Sequence, residues 1–193
     1  MQEAPLMLKN KTARRIKDIP GFVFPGGVKV IINFTVDFDA MIFRKFLREP
    51  KLWCAQGEFG GRTGLWRLLD VFGEFDVRTT LFLPGQTGLL YPEVLRRAVR
   101  EGHEIANHHI PPTLEEEAVH IDRTDTLIKG LTGQYPAGTR SEHDLAALRD
   151  HAYTYVSYTP QGEFPFYVYY ENIGKWMLNL PISFIHDDAM FFY

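Results

Sequence analysis

The sequence feature that most constrains the fold is an apolar run that ends in two carboxylates, Val30-Ile31-Ile32-Asn33-Phe34-Thr35-Val36-Asp37-Phe38-Asp39-Ala40. Such a run is typical of a strand buried on both faces, as in a parallel sheet, and we place that strand over residues 28–36. If the strand continues, alternation puts Asp37 and Asp39 on one side and Phe38 on the other. Buried carboxylates are costly unless they hold a cation, share a proton or meet an arginine. The two acids therefore predict a site at a strand's carboxyl end, where active sites of α/β proteins gather.

Beyond this strand the chain alternates between helical and strand-like patterns. The predicted elements are a helix or ordered loop at 40–53, a helix at 65–75, a strand at 77–83, a helix from 91 to 102, a strand at 103–109, a helix at 114–131, a strand at 135–141, a helix at 145–151, and β-prone segments at 153–158, 166–170 and 177–184. This order predicts an α/β fold with a parallel sheet or barrel over residues 28–193. Residues 1–27 are weakly patterned, and we interpret them as an N-terminal surface arm.

Composition narrows the class of protein. The formal net charge of −3 gives no electrostatic argument for binding nucleic acid or an anionic membrane surface. The single cysteine, Cys54, excludes an internal disulfide and any multi-cysteine metal site. No apolar run approaches the ~20 residues of a membrane span, and Met1–Pro5 does not begin a signal peptide. We therefore expect a soluble, cytoplasmic protein.

The segment Gln56–Gly64 holds four glycines in its last eight residues. Glycine allows the backbone to approach a ligand or another chain segment closely. The alternative is a flexible surface turn, and glycine content alone favours neither interpretation.

Three polar clusters are predicted at or just beyond strand ends. They are Asp37 with Asp39, Asn107-His108-His109, and Arg140 within Gly138–Ser141. Each is weak alone, but their joint placement on one rim of a sheet is informative. Asp and His are ligands suited to Zn²⁺ and similar metals, and a second carboxylate beside the metal can act as the base for a bound water. The pattern predicts metal-assisted hydrolysis.

In order and spacing these segments resemble the polysaccharide deacetylase (NodB-homology) family. The resemblance is carried by Thr35–Ala40, Glu58–Arg62, Gly102–His108, Gly138–Ser141 and Leu180–Phe192. It implies a distorted or incomplete (β/α) barrel that hydrolyses C–N bonds, either removing N-acetyl groups from a carbohydrate or opening a cyclic imide or ureide. The Asp-x-Asp form and the Glu58–Arg62 segment resemble the branch that holds cytoplasmic peptidoglycan-deacetylase-like proteins, cyclic imide hydrolases and allantoinases.

The resemblance also implies a role for each site residue. Asp37 would be the general base, Arg140 would orient it, Asp39 and His108 would bind a divalent metal such as zinc, and Glu58, Gly60, Gly61 and Arg62 would line the substrate pocket or contact a neighbouring subunit. The implied partner is a small amide, an imide or an N-acetylated carbohydrate.

Two positions depart from the family pattern. Pro112 occupies the place of the second metal histidine, and the late leucine–histidine motif that supplies the general acid is not found before Tyr193. Three explanations stay open: a protein that needs little or no metal, a catalytically dead relative that binds a carbohydrate or another ligand, or residues absent near His109-Ile110 and after Tyr193. The aromatic end, Met190-Phe191-Phe192-Tyr193, would be an exposed apolar patch, so we expect further chain or a second subunit of a homo-oligomer to cover it.

Overall fold

The computed structural model describes residues 11–15, 26–28, 31–108, 117–140, 151–157, 165–170, 174–188 and 191. Within these ranges the strands are β1 (Lys11–Arg15), β2 (Thr35–Asp37), β3 (Thr80–Leu83), β4 (Glu104–His108), β5 (Gly138–Arg140), β6 (Tyr155–Val156), β7 (Phe166–Tyr170) and β8 (Lys175–Asn179). The helices are α1 (Ile42–Phe46), α2 (Lys51–Phe59), a π-helical turn (Gly60–Gly64), α3 (Leu65–Glu74), α4 (Gly85–Leu90), α5 (Pro92–Arg100), α6 (Glu117–Thr132) and a 3₁₀ turn (Phe184–His186). None of these helices is long and apolar enough to cross a membrane.

The eight strands form one mixed sheet in the order β1-β7-β8-β6-β5-β4-β3-β2. The neighbours from β2 to β6 are parallel, β8 is parallel to β6, and β7 is antiparallel to both β8 and β1. From β2 to β6 each new strand lies beside the preceding one, which is the winding of a (β/α) barrel. The strands β1 and β2 lie at opposite edges, so the barrel is incomplete within the part of the chain that the structure describes. The predicted α/β fold of the NodB-homology type is confirmed.

The helices α3 and α5 pack on the sheet through residues at helical spacing. Leu65 and Leu69 of α3 and Val94, Leu95 and Ala98 of α5 are all buried. They form one core with three strand residues, Leu81, Leu83 and Ile105. Each such leucine or valine contributes ~1.5–3 kcal/mol when it leaves water. This core fixes the positions of β3 and β4. It therefore also fixes the positions of the polar residues at the ends of these strands.

The strand predicted over residues 28–36 is wrong for most of its length. Among the described residues of this run only Thr35–Asp37 is a strand, and Ile31 and Ile32 are 66% and 72% exposed. Residues 29 and 30 lie outside the described residues. The cause is the position of β2 at the edge of the sheet, where β3 is its partner on one side and no described residue pairs with the other. A run this apolar therefore did not guarantee burial on both faces.

The glycine-rich segment is helical, so the prediction of a flexible turn is wrong. Helix α2, the π-helical turn and α3 follow one another without a break. The alternative of a close backbone approach is confirmed at two positions. A Cβ atom on Gly57 would lie 2.5 Å from the carbonyl oxygen of Ala40, and one on Gly61 would lie 2.4 Å from the ring of Tyr91.

Other elements differ from the sequence prediction at their ends or were not anticipated. Helix α4 begins directly after Pro84, between the predicted strand at 77–83 and the predicted helix from 91 to 102, and was not anticipated. The short strand β1 lies within the predicted N-terminal arm and pairs with β7. Residues 113–116 at the start of the helix predicted from Leu114, and residues 145–150 of the helix predicted at 145–151, lie outside the described residues, and the domain boundaries stay a prediction.

Candidate active site

The strands β2, β4 and β5 end at the same edge of the sheet, and each brings a polar residue there. Asp37 is the last residue of β2, His108 of β4 and Arg140 of β5. His108 and Arg140 are direct neighbours in register, and Asp37 is the register partner of Phe82 in β3. Carboxyl ends of parallel strands share one edge, which explains why three segments far apart in sequence meet here.

Arg140 contacts Asp37, as the sequence led us to expect. Its Nη1 atom donates to Asp37 Oδ1 at 2.6 Å, while Nη2 donates to Thr35 Oγ1 at 3.0 Å and to Ser157 Oγ at 2.9 Å. The guanidinium lies 4.0 Å from the centroid of the Phe82 ring, a cation–π contact. Arg140 is buried, whereas the Asp37 side chain is 39% exposed. The cation is therefore fixed by several partners, and the carboxylate that it holds is open to solvent.

Asp39 contacts His108 at the same edge. The distance from His108 Nδ1 to Asp39 Oδ1 is 2.7 Å. Burial lowers the pKa of His108, but the hydrogen bond to Asp39 and the charges of Asp39 and Asp37 outweigh it, so the pKa is raised above its ordinary value. The backbone is fixed too, since Thr87 Oγ1 donates to the carbonyl of Asp39 at 3.0 Å and Ala40 adopts a φ of +49°. A left-handed alanine directly after Asp39 is local strain of the kind found at functional sites.

Asn107 does not join this group, although its sequence position suggested that it would. It alternates with His108 along β4 and faces α6, where its Nδ2 atom donates to Asp125 Oδ1 at 2.8 Å and to Tyr153 Oη at 3.1 Å. Tyr153 Oη also donates to Asp125 Oδ1 at 2.7 Å, and His151 Nδ1 lies 2.7 Å from Asp125 Oδ2. This buried network fastens β4 to α6 behind the site.

The donors for a metal ion are incomplete in the part of the chain that the structure describes. Asp39 and His108 lie together, but no group of three or more His, Cys, Asp and Glu side chains that could hold a metal is found among the described residues. A catalytic zinc site commonly uses three protein ligands and a water. His109 and Pro112 lie outside the described residues. The two described donors alone do not fit a zinc site.

The predicted substrate-binding residues Glu58, Gly60, Gly61 and Arg62 lie on α2 and the π-helical turn. Arg62 Nε donates to Glu58 Oε1 at 2.7 Å on an exposed surface, and this ion pair raises the pKa of Arg62 through the hydrogen bond first and the charge of Glu58 second. The described contacts do not join Glu58 or Arg62 to Asp37 or Asp39. The link is indirect, because Gly61 packs on Tyr91 and the Tyr91 ring contacts that of Phe38 with centroids 5.9 Å apart.

Sequence reasoning missed the residues that hold Arg140. Thr35 and Ser157 accept hydrogen bonds from the guanidinium, and Phe82 lies beneath it. Thr35 could have been found, since it precedes Asp37 by two residues and therefore shares its side of β2. Ser157 directly follows β6, and the sequence carries no signal that would connect it to Arg140.

A family model described as polysaccharide deacetylase matches residues 56–156. This match spans more than half of the chain, which therefore belongs to the polysaccharide deacetylase family, whose members are hydrolases and are generally metal-dependent. Homologues and structural neighbours are consistent with an enzyme of the deacetylase type.

Curated relatives match over part of their length. The chain is 33% identical over 90 residues to peptidoglycan deacetylase of Helicobacter pylori, a match that covers 44% of this chain and 31% of the relative. It is 29% identical over 140 residues to the peptidoglycan deacetylase-like protein FGM2 of Gibberella zeae, covering 63% of this chain and 40% of the relative. The chain thus aligns with about a third to two fifths of these relatives.

Solved structures support the fold. A polysaccharide deacetylase-type protein from Mycobacterium smegmatis superimposes with a TM-score of 0.73 at 27% identity, covering 86% of this chain and 63% of that protein. PuuE allantoinase superimposes with a TM-score of 0.74 at 20% identity, covering 87% and 66%. The similarity to PuuE allantoinase supports the fold alone.

Proposed function

We propose that this chain hydrolyses non-peptide C–N bonds, removing an N-acetyl group from a carbohydrate or opening a cyclic imide or ureide. The observation that carries the proposal is the 2.6 Å contact between Arg140 and Asp37. It fixes a solvent-accessible carboxylate at the strand edge where Asp39 and His108 also lie. Membership of the deacetylase family and the names of the curated relatives support the same reaction class.

Asp37 is the proposed general base. A base must lie within hydrogen-bond reach of the proton that it removes, and the exposed side of Asp37 can accept a water molecule while Arg140 holds the other side. Asp37 takes a proton as the water oxygen attacks the carbonyl carbon. The C–N bond then breaks, and the leaving nitrogen gains a proton that balances the one Asp37 received. An N-acetyl sugar and one water thus become acetate and an amine, whereas a cyclic imide or ureide and one water become a single ring-opened acid that keeps the nitrogen.

Asp39 and His108 remain the proposed ligands of a divalent metal such as zinc, for which the two described donors would need a third. When bound, such an ion would polarise the carbonyl and lower the pKa of a bound water. Since only two metal ligands are found among the described residues, no step of the reaction is attributed to the metal.

Replacement of Asp37 by asparagine tests the proposal. The assay follows release of acetate from N-acetyl sugars and formation of the ring-opened acid from succinimide-type imides and allantoin. General-base catalysis is typically worth about 10²–10⁴-fold, so Asp37→Asn should lower turnover by at least about 100-fold. Asp76→Asn is the matched control, since the Asp76 side chain is exposed and its partner is the surface residue Arg78. Unchanged turnover in Asp37→Asn would remove Asp37 as the base.

A non-catalytic binding role is the second candidate, and the two-donor arrangement favours it. In that case no substrate of the panel would yield product. An N-acetyl sugar would nevertheless raise the melting temperature of the protein, and Arg140→Gln would reduce this shift. Product formation that depends on Asp37 excludes this candidate.

A homo-oligomer is part of the proposal. Phe191 near the end of the chain is 73% exposed, and Ile185 is exposed as well. An apolar surface of this kind is commonly covered by another subunit. Light scattering on the purified protein should show a dimer or larger assembly, and Phe191→Ser should weaken it. A monodisperse monomer would contradict the proposal.

A further inference from the structure

A cavity of about 430 Å³ opens beside His108. Helices α1, α4 and α6 provide most of its wall, and its apolar lining includes Ile42, Phe46, Leu89 and Leu127. His108 is the link to the candidate site, because it lines this cavity and contacts Asp39. The volume falls within the roughly 300–1,000 Å³ of small-molecule sites, so one monosaccharide or a similar amide fits in size.

Among the described residues that line this cavity, the charged side chains have one sign. They are Lys45 of α1 and Arg123 of α6, which accompany His108 and His120, and the described lining includes no aspartate or glutamate. The whole chain carries a formal net charge of −3, so this local pair of cations does not follow from composition. Two cations with no acid in the described lining favour an anionic ligand.

Neither Lys45 nor Arg123 is held by an acid in the part of the chain that the structure describes. Both residues are exposed and line the cavity. Arg44, the neighbour of Lys45, differs, because its Nη1 atom pairs with Glu49 Oε2 at 2.8 Å. Among the described arginines, five others also form ion pairs: Arg62, Arg78, Arg96, Arg97 and Arg140. Lys45 and Arg123 therefore keep their donors available to a ligand.

We propose that this cavity selects substrates that carry a carboxylate, which Lys45 and Arg123 bind while the amide lies toward His108. The proposal rests on the proposed function, and it adds the substrate class. Arg123 can bind a carboxylate through two parallel N–H groups, and Lys45 adds a point charge. The apolar wall accommodates the carbon skeleton between the carboxylate and the amide.

A substrate pair that differs only in charge tests the proposal. N-acetylmuramic acid carries a carboxylate, and its methyl ester has the same skeleton without the charge. The wild-type protein should prefer the acid by about tenfold or more in kcat/KM. Lys45→Gln and Arg123→Gln should each reduce this ratio by about fivefold. Arg100→Gln and Lys51→Gln are the matched controls, because both residues lie outside the cavity lining, and they should leave the ratio unchanged.

A binding measurement separates this inference from the proposed function. Calorimetry on the wild-type protein and on Asp37→Asn gives the affinities for the acid and the ester without any need for turnover. If no variant hydrolyses either compound but the acid binds more tightly through Lys45 and Arg123, the proposed function fails and the charge selectivity stands. Equal affinity for acid and ester, or a preference unchanged in Lys45→Gln and Arg123→Gln, overturns the selectivity.

Discussion

Arg140 and Asp37 are 103 residues apart in sequence and are joined by a hydrogen bond of 2.6 Å. Strands β3 and β4 lie between the strands that carry them, so the guanidinium reaches across the inner face of the sheet. Ser157 and Thr35 accept its other N–H groups, and the Phe82 ring lies beneath it. These contacts fix the orientation of the planar guanidinium. Its hydrogen bond in turn fixes the position of the Asp37 carboxylate.

Arg140→Lys should lower activity more than its retained charge suggests. A lysine ammonium cannot contact Asp37, Thr35 and Ser157 together and also lie flat on Phe82. We expect kcat to fall by at least about tenfold, with KM nearly unchanged, because misplacing a base affects the chemical step more than binding. Steady-state kinetics measure this change. The lost hydrogen bonds should also lower the free energy of unfolding by about 1–3 kcal/mol.

The control is Arg96→Lys, since Arg96 forms an exposed ion pair with Glu93 and such pairs are worth little. A double-mutant cycle with Asp37→Asn then distinguishes positioning from general damage. In the Asp37→Asn background, Arg140→Lys should cost little further activity. Full additivity of the two losses would contradict a role that acts through Asp37.

The site was predictable where polar residues follow apolar strands. Asp37, His108 and Arg140 each end a strand, and the parallel arrangement alone brings such ends together. Asn107 shows the limit of this reasoning, because a neighbour of His108 in sequence faces the opposite side of the strand. The support of Arg140 by Ser157 depends on the register between β5 and β6, which the sequence does not reveal.

The fold class was predictable from the alternation of strand and helix patterns, while local features were decided by tertiary contacts. Ile31 and Ile32 have strong strand propensity but lie beside an edge strand and stay outside the sheet. The glycines of residues 57–64 disfavour a helix intrinsically, yet they lie in one. The close approach of Gly57 to Ala40 and of Gly61 to Tyr91 needs residues without a Cβ atom.

Two neighbouring glycines should respond to alanine in opposite directions. In Gly61→Ala the new methyl group would lie 2.4 Å from the partly buried Tyr91 ring, and such overpacking typically costs about 1–3 kcal/mol. Gly60 has helical φ and ψ angles and nothing within 4 Å of the added atom, so Gly60→Ala should stabilise by about 0.4–1 kcal/mol. Urea denaturation measures both changes. Equal effects of the two substitutions would contradict the packing of Gly61 on Tyr91.

His103 should make stability depend on pH. Its side chain is buried, and its Nδ1 atom accepts a hydrogen bond from the Thr79 N–H at 3.2 Å, which requires the neutral ring. Desolvation lowers its pKa, the charge of Glu101 opposes this shift, and the charges of Arg78 and Arg97 add to it. A histidine whose pKa is lowered by folding stabilises the folded state at pH values above its unfolded-state pKa, near 6.5. This stabilisation is lost as the pH falls toward the lower pKa of the folded state.

The free energy of unfolding should therefore fall as the pH is lowered from about 7 to below 6.5, the ordinary histidine pKa, and His103→Gln should reduce this slope. His186→Gln, at an exposed position, is the control and should leave the slope as in the wild-type protein. Equal slopes in His103→Gln and the wild type would show that His103 is not the group that titrates.

The buried network behind the site should contribute measurably to stability. Tyr153 Oη donates to Asp125 and accepts from Asn107, and burial together with the charge of Asp125 raises the pKa of Tyr153 far above its ordinary value. Tyr153→Phe removes one donor from a buried carboxylate, which should lower the free energy of unfolding by about 1–3 kcal/mol. Tyr135→Phe, on the exposed Tyr135, should change it by less than about 0.5 kcal/mol. Comparable losses in both variants would contradict a special role of the network.

Zinc binding tests the metal part of the proposal. The described donors are Asp39 and His108, and two side chains bind zinc more weakly than the three of a typical catalytic site. We expect calorimetry to show weak zinc binding that a chelator reverses and that Asp39→Asn and His108→Gln each abolish. Asp76→Asn serves as the control, since the exposed Asp76 pairs with the surface residue Arg78 and with neither donor. Tight zinc binding that is lost in His109→Ala would place a third ligand in residues 109–116, and tight binding that survives Asp39→Asn would exclude Asp39 as a ligand.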